Sequence, residues 1–191
     1  MIVFLLRVDI SKQNKNEIRD KILKYVLGNV CKVNYDEVTI EKNQYGKPFI
    51  KEYPNIYFSI SHCDKVIACS IDNKVNGIDV ELIRNFDMYV ANRVCSKKEI
   101  KIINNSKSPE KAFFSYWTIK ESLGKALGVG LNYSLKDTNF IINKDKIKCN
   151  NKMFKYKLYQ VFNDCILAIS TEGNENNIIL EEVVMVNGEL N

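Results

Sequence analysis

The chain opens on a short apolar run, Ile2-Val3-Phe4-Leu5-Leu6, that ends at Arg7, Val8 and Asp9. The run is far too short to span a bilayer, and it lacks the basic start and small-residue cleavage site of a secretion signal. Residues 2–9 therefore read as an opening strand. Over residues 12–27, Ile18, Ile22, Tyr25 and Val26 recur at helical spacing, with Gly28 as the expected stop. A short strand at 38–40 and a turn at Tyr45-Gly46-Lys47-Pro48 follow. Three strand-like runs come next, at 56–61, 66–71 and 77–81. Polar breaks at His62-Cys63-Asp64-Lys65 and Asp72-Asn73-Lys74 separate them, which predicts an antiparallel meander.

Two helix starts are then written out. Ser96-Lys97-Lys98-Glu99 has the capping-box pattern. Ser108-Pro109-Glu110 offers a capping hydroxyl, a proline at the first helical position and an early acid. The second helix carries Ala112, Phe113, Tyr116, Ile119, Leu123 and Ala126 on one stripe, and Gly128 and Gly130 end it. The remainder is strand-rich, at 138–142, 155–161, 165–171 and 178–186. Residues 65–71 weakly echo residues 164–170, and both halves run helix first, then strands. The expectation is an α+β fold of two similar α/β halves, residues 1–90 and 91–191, with a ligand cleft between them.

Composition narrows the classes. The 191 residues are 46% hydrophobic and 27% charged, as in soluble globular proteins. The net charge of +5 suits an anionic ligand or an acidic partner, but no basic cluster interleaved with aromatics points to nucleic acid. No membrane partner is expected, and the default location is the cytoplasm. The six cysteines, Cys31, Cys63, Cys69, Cys95, Cys149 and Cys165, form no CxxC pair. The lone His62 adjoins only Cys63, so a structural zinc site is not expected and the cysteines read as free thiols.

The chemistry concentrates in two acidic segments, Asn76-Gly77-Ile78-Asp79-Val80-Glu81 and Trp117-Thr118-Ile119-Lys120-Glu121-Ser122-Leu123-Gly124-Lys125. In a strand, residues two apart share a face, so Asp79 and Glu81 can aim at one point. In a helix, residues four apart share a face, so Glu121 and Lys125 can aim together. Two strand carboxylates and one helix carboxylate suit a hard divalent cation that holds a polyphosphate. Taken singly, each has a plain alternative: a solvated strand face for Asp79 and Glu81, a surface ion pair for Glu121 and Lys125. Trp117 reads as a packing residue. His62 and Ser61 at a strand end could meet a phosphate, or be an ordinary loop. Lys47 could reach an anion or simply be exposed, and Glu99 could cap a helix or join the site.

Together and in order, these pieces resemble the Sfp-type 4′-phosphopantetheinyl transferases: Tyr45-Gly46-Lys47-Pro48, Phe58-Ser59-Ile60-Ser61-His62, Gly77 to Glu81, Ser96 to Glu99 and Trp117 to Lys125. The resemblance implies a monomer with two halves related by pseudo-twofold symmetry and the active site in the cleft between them. It implies a magnesium-dependent enzyme that moves the phosphopantetheine arm of coenzyme A to a serine of an apo acyl or peptidyl carrier protein. By that resemblance, Asp79, Glu81 and Glu121 hold Mg2+, Lys125 contacts the pyrophosphate, and Lys120 lies near the phosphates. Lys47, Ser61 and His62 contact the adenosine end. Glu121 or Glu99 takes the serine proton. Longer members carry upstream basic residues; Lys12, Lys15 and Arg19 lie in that region. Two other readings compete: a different magnesium-dependent phosphohydrolase, and a non-catalytic module that binds coenzyme A or a carrier.

Overall fold

The computed structural model describes residues 1–9, 14–129, 134–143, 146–186 and 189–190. Lys12 and Gly130 lie outside them. In chain order the main elements are β1 (Ile2–Arg7), α1 (Lys15–Val26), β2 (Ile40–Lys42), β3 (Pro48–Ile50), β4 (Tyr57–His62), β5 (Val66–Asp72) and β6 (Asn76–Leu82). There follow α2 (Met88–Val94), α3 (Lys97–Asn104), α4 (Pro109–Leu127), β7 (Phe140–Asn143), β8 (Lys146–Cys149), β9 (Lys155–Val161), β10 (Cys165–Thr171) and β11 (Ile179–Val183). The fold is α+β.

Two sheets dominate. One has the order β11-β1-β5-β4 and the other β6-β10-β9. Alternation along β1 explains why they stack. Phe4 and Leu6 join a core with Ile18, Ile22 and Val26 of α1. Val3 and Leu5 point the other way, into a core shared with Ile78, Val80, Leu167 and Ile169 of the second sheet. A strand covered on both faces reads as a continuous apolar run, which is what the N-terminus shows. The second sheet turns Ile166 and Ala168 toward α4, where Phe113, Ile119 and Leu123 close a third core. The layers are thus helix, sheet, sheet, helix.

The meander expected over 56–81 is only half right. β4 and β5 pair antiparallel, but β6 leaves them and pairs antiparallel with β10. At the other end of the chain, β11 returns to lie parallel beside β1. Consequently the sheets do not divide the chain at residue 90. β6 supplies the second sheet from the first half, and β11 supplies the first sheet from the second half.

The seam between the sheets is made by hydroxyls instead of a backbone ladder. The Ile78 N–H donates to Ser59 Oγ at 3.1 Å and the Val80 N–H donates to Ser61 Oγ at 3.2 Å. Because 59 meets 78 and 61 meets 80, β4 and β6 run the same way along the seam. Each serine satisfies a buried N–H that no strand partner reaches, so these hydroxyls are structurally required. One end is fixed by Asn76, whose side chain accepts from Ser70 Oγ at 2.6 Å and donates to the Tyr57 carbonyl at 3.1 Å.

Local signals mostly hold. Ser96 and Glu99 form the full capping box at the start of α3. Pro109 begins α4 and Gly128, at φ 70°, ends it in the left-handed conformation. Ser108, however, makes no side-chain cap bond. Gly28 does not stop the first helix either. The chain continues through a π-helical turn, Leu27–Cys31, and stops at Lys32 with φ 57°. That wider turn keeps the fully buried Leu27 in the first core. No residue in α2 beyond Ala91 and Val94 is buried, so its apolar spacing was too brief to read as a helix.

Candidate active site

The site lies where α4 crosses β6. Packing decides this crossing. A Cβ on Gly77 would sit 2.2 Å from the Ser122 carbonyl oxygen and 2.3 Å from the Ala126 backbone nitrogen. Only glycine lets the helix backbone come this close. Ser122 Oγ and Ser170 Oγ, 2.8 Å apart, tie the same helix to β10. Gly77, Asp79 and Glu81 share the face of β6 that meets α4. Glu121 and Lys125, one turn apart on α4, come down onto it.

Asp79 is the hub. Its Oδ1 accepts from Lys125 Nζ at 2.8 Å and from Ser61 Oγ at 2.7 Å. Its Oδ2 is buried and has no hydrogen-bond partner. A buried carboxylate oxygen without a donor costs stability and calls for a cation or donor to complete it. Glu81 is held by Arg84, whose Nη1 donates to Oε2 at 3.0 Å while the guanidinium lies over the Phe114 ring, 4.9 Å from its centroid. Burial first, then the Asp79 charge, pushes the carboxyl of Glu81 above its ordinary range. Glu121 is raised for the same reasons, burial and then Asp79, with Glu81 adding to it and Lys125 opposing. The three carboxylates therefore repel one another electrostatically across one small volume. Among the described residues, no three His, Cys, Asp or Glu side chains already stand as a metal cage. Lys125 holds Asp79 Oδ1 and Arg84 holds Glu81 Oε2, which leaves Asp79 Oδ2 open to such an ion.

Beside this cluster is a cleft of about 530 Å³, lined among others by Arg19, Lys47, Phe58, Ile60, His62 and Lys125. His62 is exposed at its wall, and burial, then Lys15 and Lys125, depress its pKa. Of the upstream basic residues, Arg19 lines this cleft.

Four expected site residues sit elsewhere in detail. Ser61 does not line the cleft; its hydroxyl is spent on Asp79 and the Val80 N–H. Lys47 lines it with its stem, but its ammonium turns inward to the Ala126 carbonyl at 3.0 Å and the Asn76 carbonyl at 3.2 Å. There it ties the last turn of α4 to the start of β6, a favourable place for a cation. Burial lowers its pKa to about 8. Lys120 is 0% exposed and Glu99 1%. They form an ion pair at 2.9 Å. Lys120 also donates to the Thr138 and Leu135 carbonyls at 2.6 and 2.8 Å, and Glu99 accepts from the Ser96 and Phe140 N–H groups. With every donor and acceptor engaged, this pair anchors α3 and β7 to α4 and has no free group to offer a phosphate or a serine. Helix geometry explains it: Lys120 and Glu121 are neighbours in sequence and so cannot face the same way.

Sequence reasoning missed Arg84 and the seam serine Ser59. The arginine's signal was available, three residues after Glu81, but its role depends on Phe114 from another element.

Comparisons with known proteins bear on the family. A family model described as the 4'-phosphopantetheinyl transferase superfamily matches residues 76–169, which include both acidic segments. Over that stretch the chain is similar to that superfamily. Its curated relatives include 4'-phosphopantetheinyl transferase gsp of Aneurinibacillus migulanus, 30% identical over 75% of this chain and 60% of the relative. They also include 4'-phosphopantetheinyl transferase Sfp of Bacillus subtilis, 27% identical over 66% of this chain and 57% of the relative. A third is the L-aminoadipate-semialdehyde dehydrogenase-phosphopantetheinyl transferase of Xenopus laevis, 30% identical over 70% of this chain and 51% of the relative. The chain thus matches under two thirds of each relative's length. Among solved structures, the Thermotoga maritima holo-(acyl-carrier-protein) synthase aligns with a TM-score of 0.44 at 23% identity, over 54% of this chain and 71% of that one.

Proposed function

We propose that this protein transfers the 4'-phosphopantetheine arm of coenzyme A to a serine of an apo acyl or peptidyl carrier protein, releasing adenosine 3',5'-bisphosphate. The observation that carries the reading is the convergence of Asp79, Glu81, Glu121 and Lys125 beside a cleft of about 530 Å³. The match to the superfamily model and the names of the curated relatives support it.

The donor set suits magnesium: three hard oxygen ligands, one of them an orphaned buried atom. Asp79, Glu81 and Glu121 would hold the ion, which supplies positive charge to the donor's pyrophosphate when bound. The residues of the chain do the rest. Lys125, within reach of Asp79, turns toward the pyrophosphate and stabilises charge that builds on its oxygens. Ser61 fixes the orientation of Asp79. His62 and Arg19 line the cleft where the adenosine end and its 3'-phosphate would lie. Glu121, half-buried with a raised pKa, is the base that takes the proton of the carrier serine as its oxygen attacks the β-phosphorus in line. Glu99 is not available for that role.

Each half contributes a β-hairpin, β4–β5 and β9–β10, and Lys65 of the first pairs with Asp164 of the second at 2.6 Å. This favours two halves related by pseudo-twofold symmetry; a monomer working in the cytoplasm is part of the same proposal. The test is release of adenosine 3',5'-bisphosphate from coenzyme A. Release that needs both magnesium and an apo carrier supports the transferase. Release without a carrier supports a phosphohydrolase instead.

A further inference from the structure

Two buried thiols face each other across the seam, and nothing in the transfer chemistry uses them. Cys63 follows β4 directly after His62, and Cys165 begins β10 opposite Leu82 of β6. Their Sγ atoms are 3.9 Å apart. Cys63 is 7% exposed and Cys165 0%. All six cysteines are free, and Cys69 and Cys95 are buried as well.

The surroundings hold this pair in register. The Cys63 N–H donates to the Val66 carbonyl at 2.9 Å, which closes the β4–β5 turn. The Lys65–Asp164 ion pair joins that turn to the β9–β10 turn one residue from Cys165. A disulfide needs its sulfurs at about 2.05 Å, so the present contact is not a bond and the two sulfurs must still close on one another. The Cys165 thiol against it also draws the Cys63 thiol below its ordinary value.

We propose that Cys63 and Cys165 form a peroxide-sensitive dithiol that closes to a disulfide and clips the two sheets together. The Cys63 thiolate attacks one oxygen of a hydroperoxide, is oxidised to the sulfenic acid and releases hydroxide, or an alkoxide from an organic peroxide. The Cys165 thiol then attacks the Cys63 sulfur, forms the S–S bond and expels water. Overall, two thiols and one hydrogen peroxide give one disulfide and two waters. Cys63 is the attacking residue because it retains some access to solvent. Cys165 is the resolving residue because it has none. The bridge would join residues far apart in sequence, so it restricts the unfolded chain strongly.

The test uses the full chain, reduced, freed of reductant and exposed to hydrogen peroxide, then mapped by proteolysis and mass spectrometry. The expected product is a Cys63–Cys165 cross-link that dithiothreitol reverses, with a Tm about 5–10 °C above the reduced protein. In Cys165→Ala no cross-link forms and Cys63 goes on to the sulfinic acid. Both cysteines remaining free while half-exposed Cys31 and Cys149 oxidise would overturn the proposal. A cross-link that maps to any other pair would do the same, and wild-type mapping alone decides this if the variant fails to fold.

Discussion

Lys125 Nζ lies 2.8 Å from Asp79 Oδ1, joining the last turns of α4 to the middle of β6. This contact makes one site from two segments separated in sequence. It also neutralises part of a carboxylate cluster that would otherwise repel itself. The cluster's charge is the feature from which most expectations about this protein follow.

Glu121→Gln should separate stability from function. The folded pKa of Glu121 is raised above its ordinary 4.5, so the native state binds that proton more tightly than the unfolded chain does. The native protein therefore loses stability as pH rises from the ordinary carboxylate range through the raised folded pKa. Removing the charge relieves the repulsion. The metal-free variant should melt at least as high as wild type at pH 7, and magnesium should raise its Tm less. Its transfer rate should fall about 100-fold or more. Parallel melting curves with and without magnesium, and a rate, check all three; a variant with wild-type turnover removes Glu121 from the mechanism.

Gly77→Ala should fail for purely steric reasons. The new methyl would meet helix backbone, which cannot rotate away. A loss of about 3 kcal/mol is expected by urea denaturation. A variant of unchanged stability would mean that α4 does not pack on β6 as described.

The W-x-x-K-E segment shows what could be read in the sequence and what could not. Gly77 was legible as a close-approach position, and the i, i+4 pair Glu121 and Lys125 was legible as a shared face. The strand phase of Asp79 and Glu81 was legible as well. Lys120 was not, because its role is set by Glu99 and by the Leu135 and Thr138 carbonyls, none of which its own spacing reveals. Lys47 failed similarly. A Gly-Lys-Pro turn says the lysine is presented, but not that the end of α4 lies under it. The departure of β6 from the meander was hidden for a related reason. An edge strand's partner depends on β10, and only the serines Ser59 and Ser61, which replace the missing ladder, hinted at the change.

Lys120→Met tests the reassignment of that lysine. Removing one partner of a wholly buried ion pair leaves Glu99 charged and unpaired, at a cost of about 3–5 kcal/mol. Adding Glu99→Gln should restore part of the loss, since no lone charge remains. Denaturation of the single and double variants decides the matter. Wild-type stability with weakened coenzyme A binding would return Lys120 to the donor site.

Lys47 gives a second pH dependence of opposite character. Its folded pKa, lowered to about 8 from 10.5, means that the unfolded chain holds the proton more tightly. Its contribution is most unfavourable below about pH 8 and improves as pH rises toward 10.5. Lys47→Met should flatten that rise in a stability profile measured over the same range. An unchanged slope would mean that the ammonium is not buried against the Ala126 and Asn76 carbonyls.

The most direct measurement is the intact mass of an apo carrier protein after incubation with this protein, coenzyme A and magnesium. A gain of one phosphopantetheine on the carrier serine, abolished by Asp79→Asn, is the expected result. Acyl and peptidyl carriers that all keep their apo mass, with the protein folded and coenzyme A intact, would contradict the account.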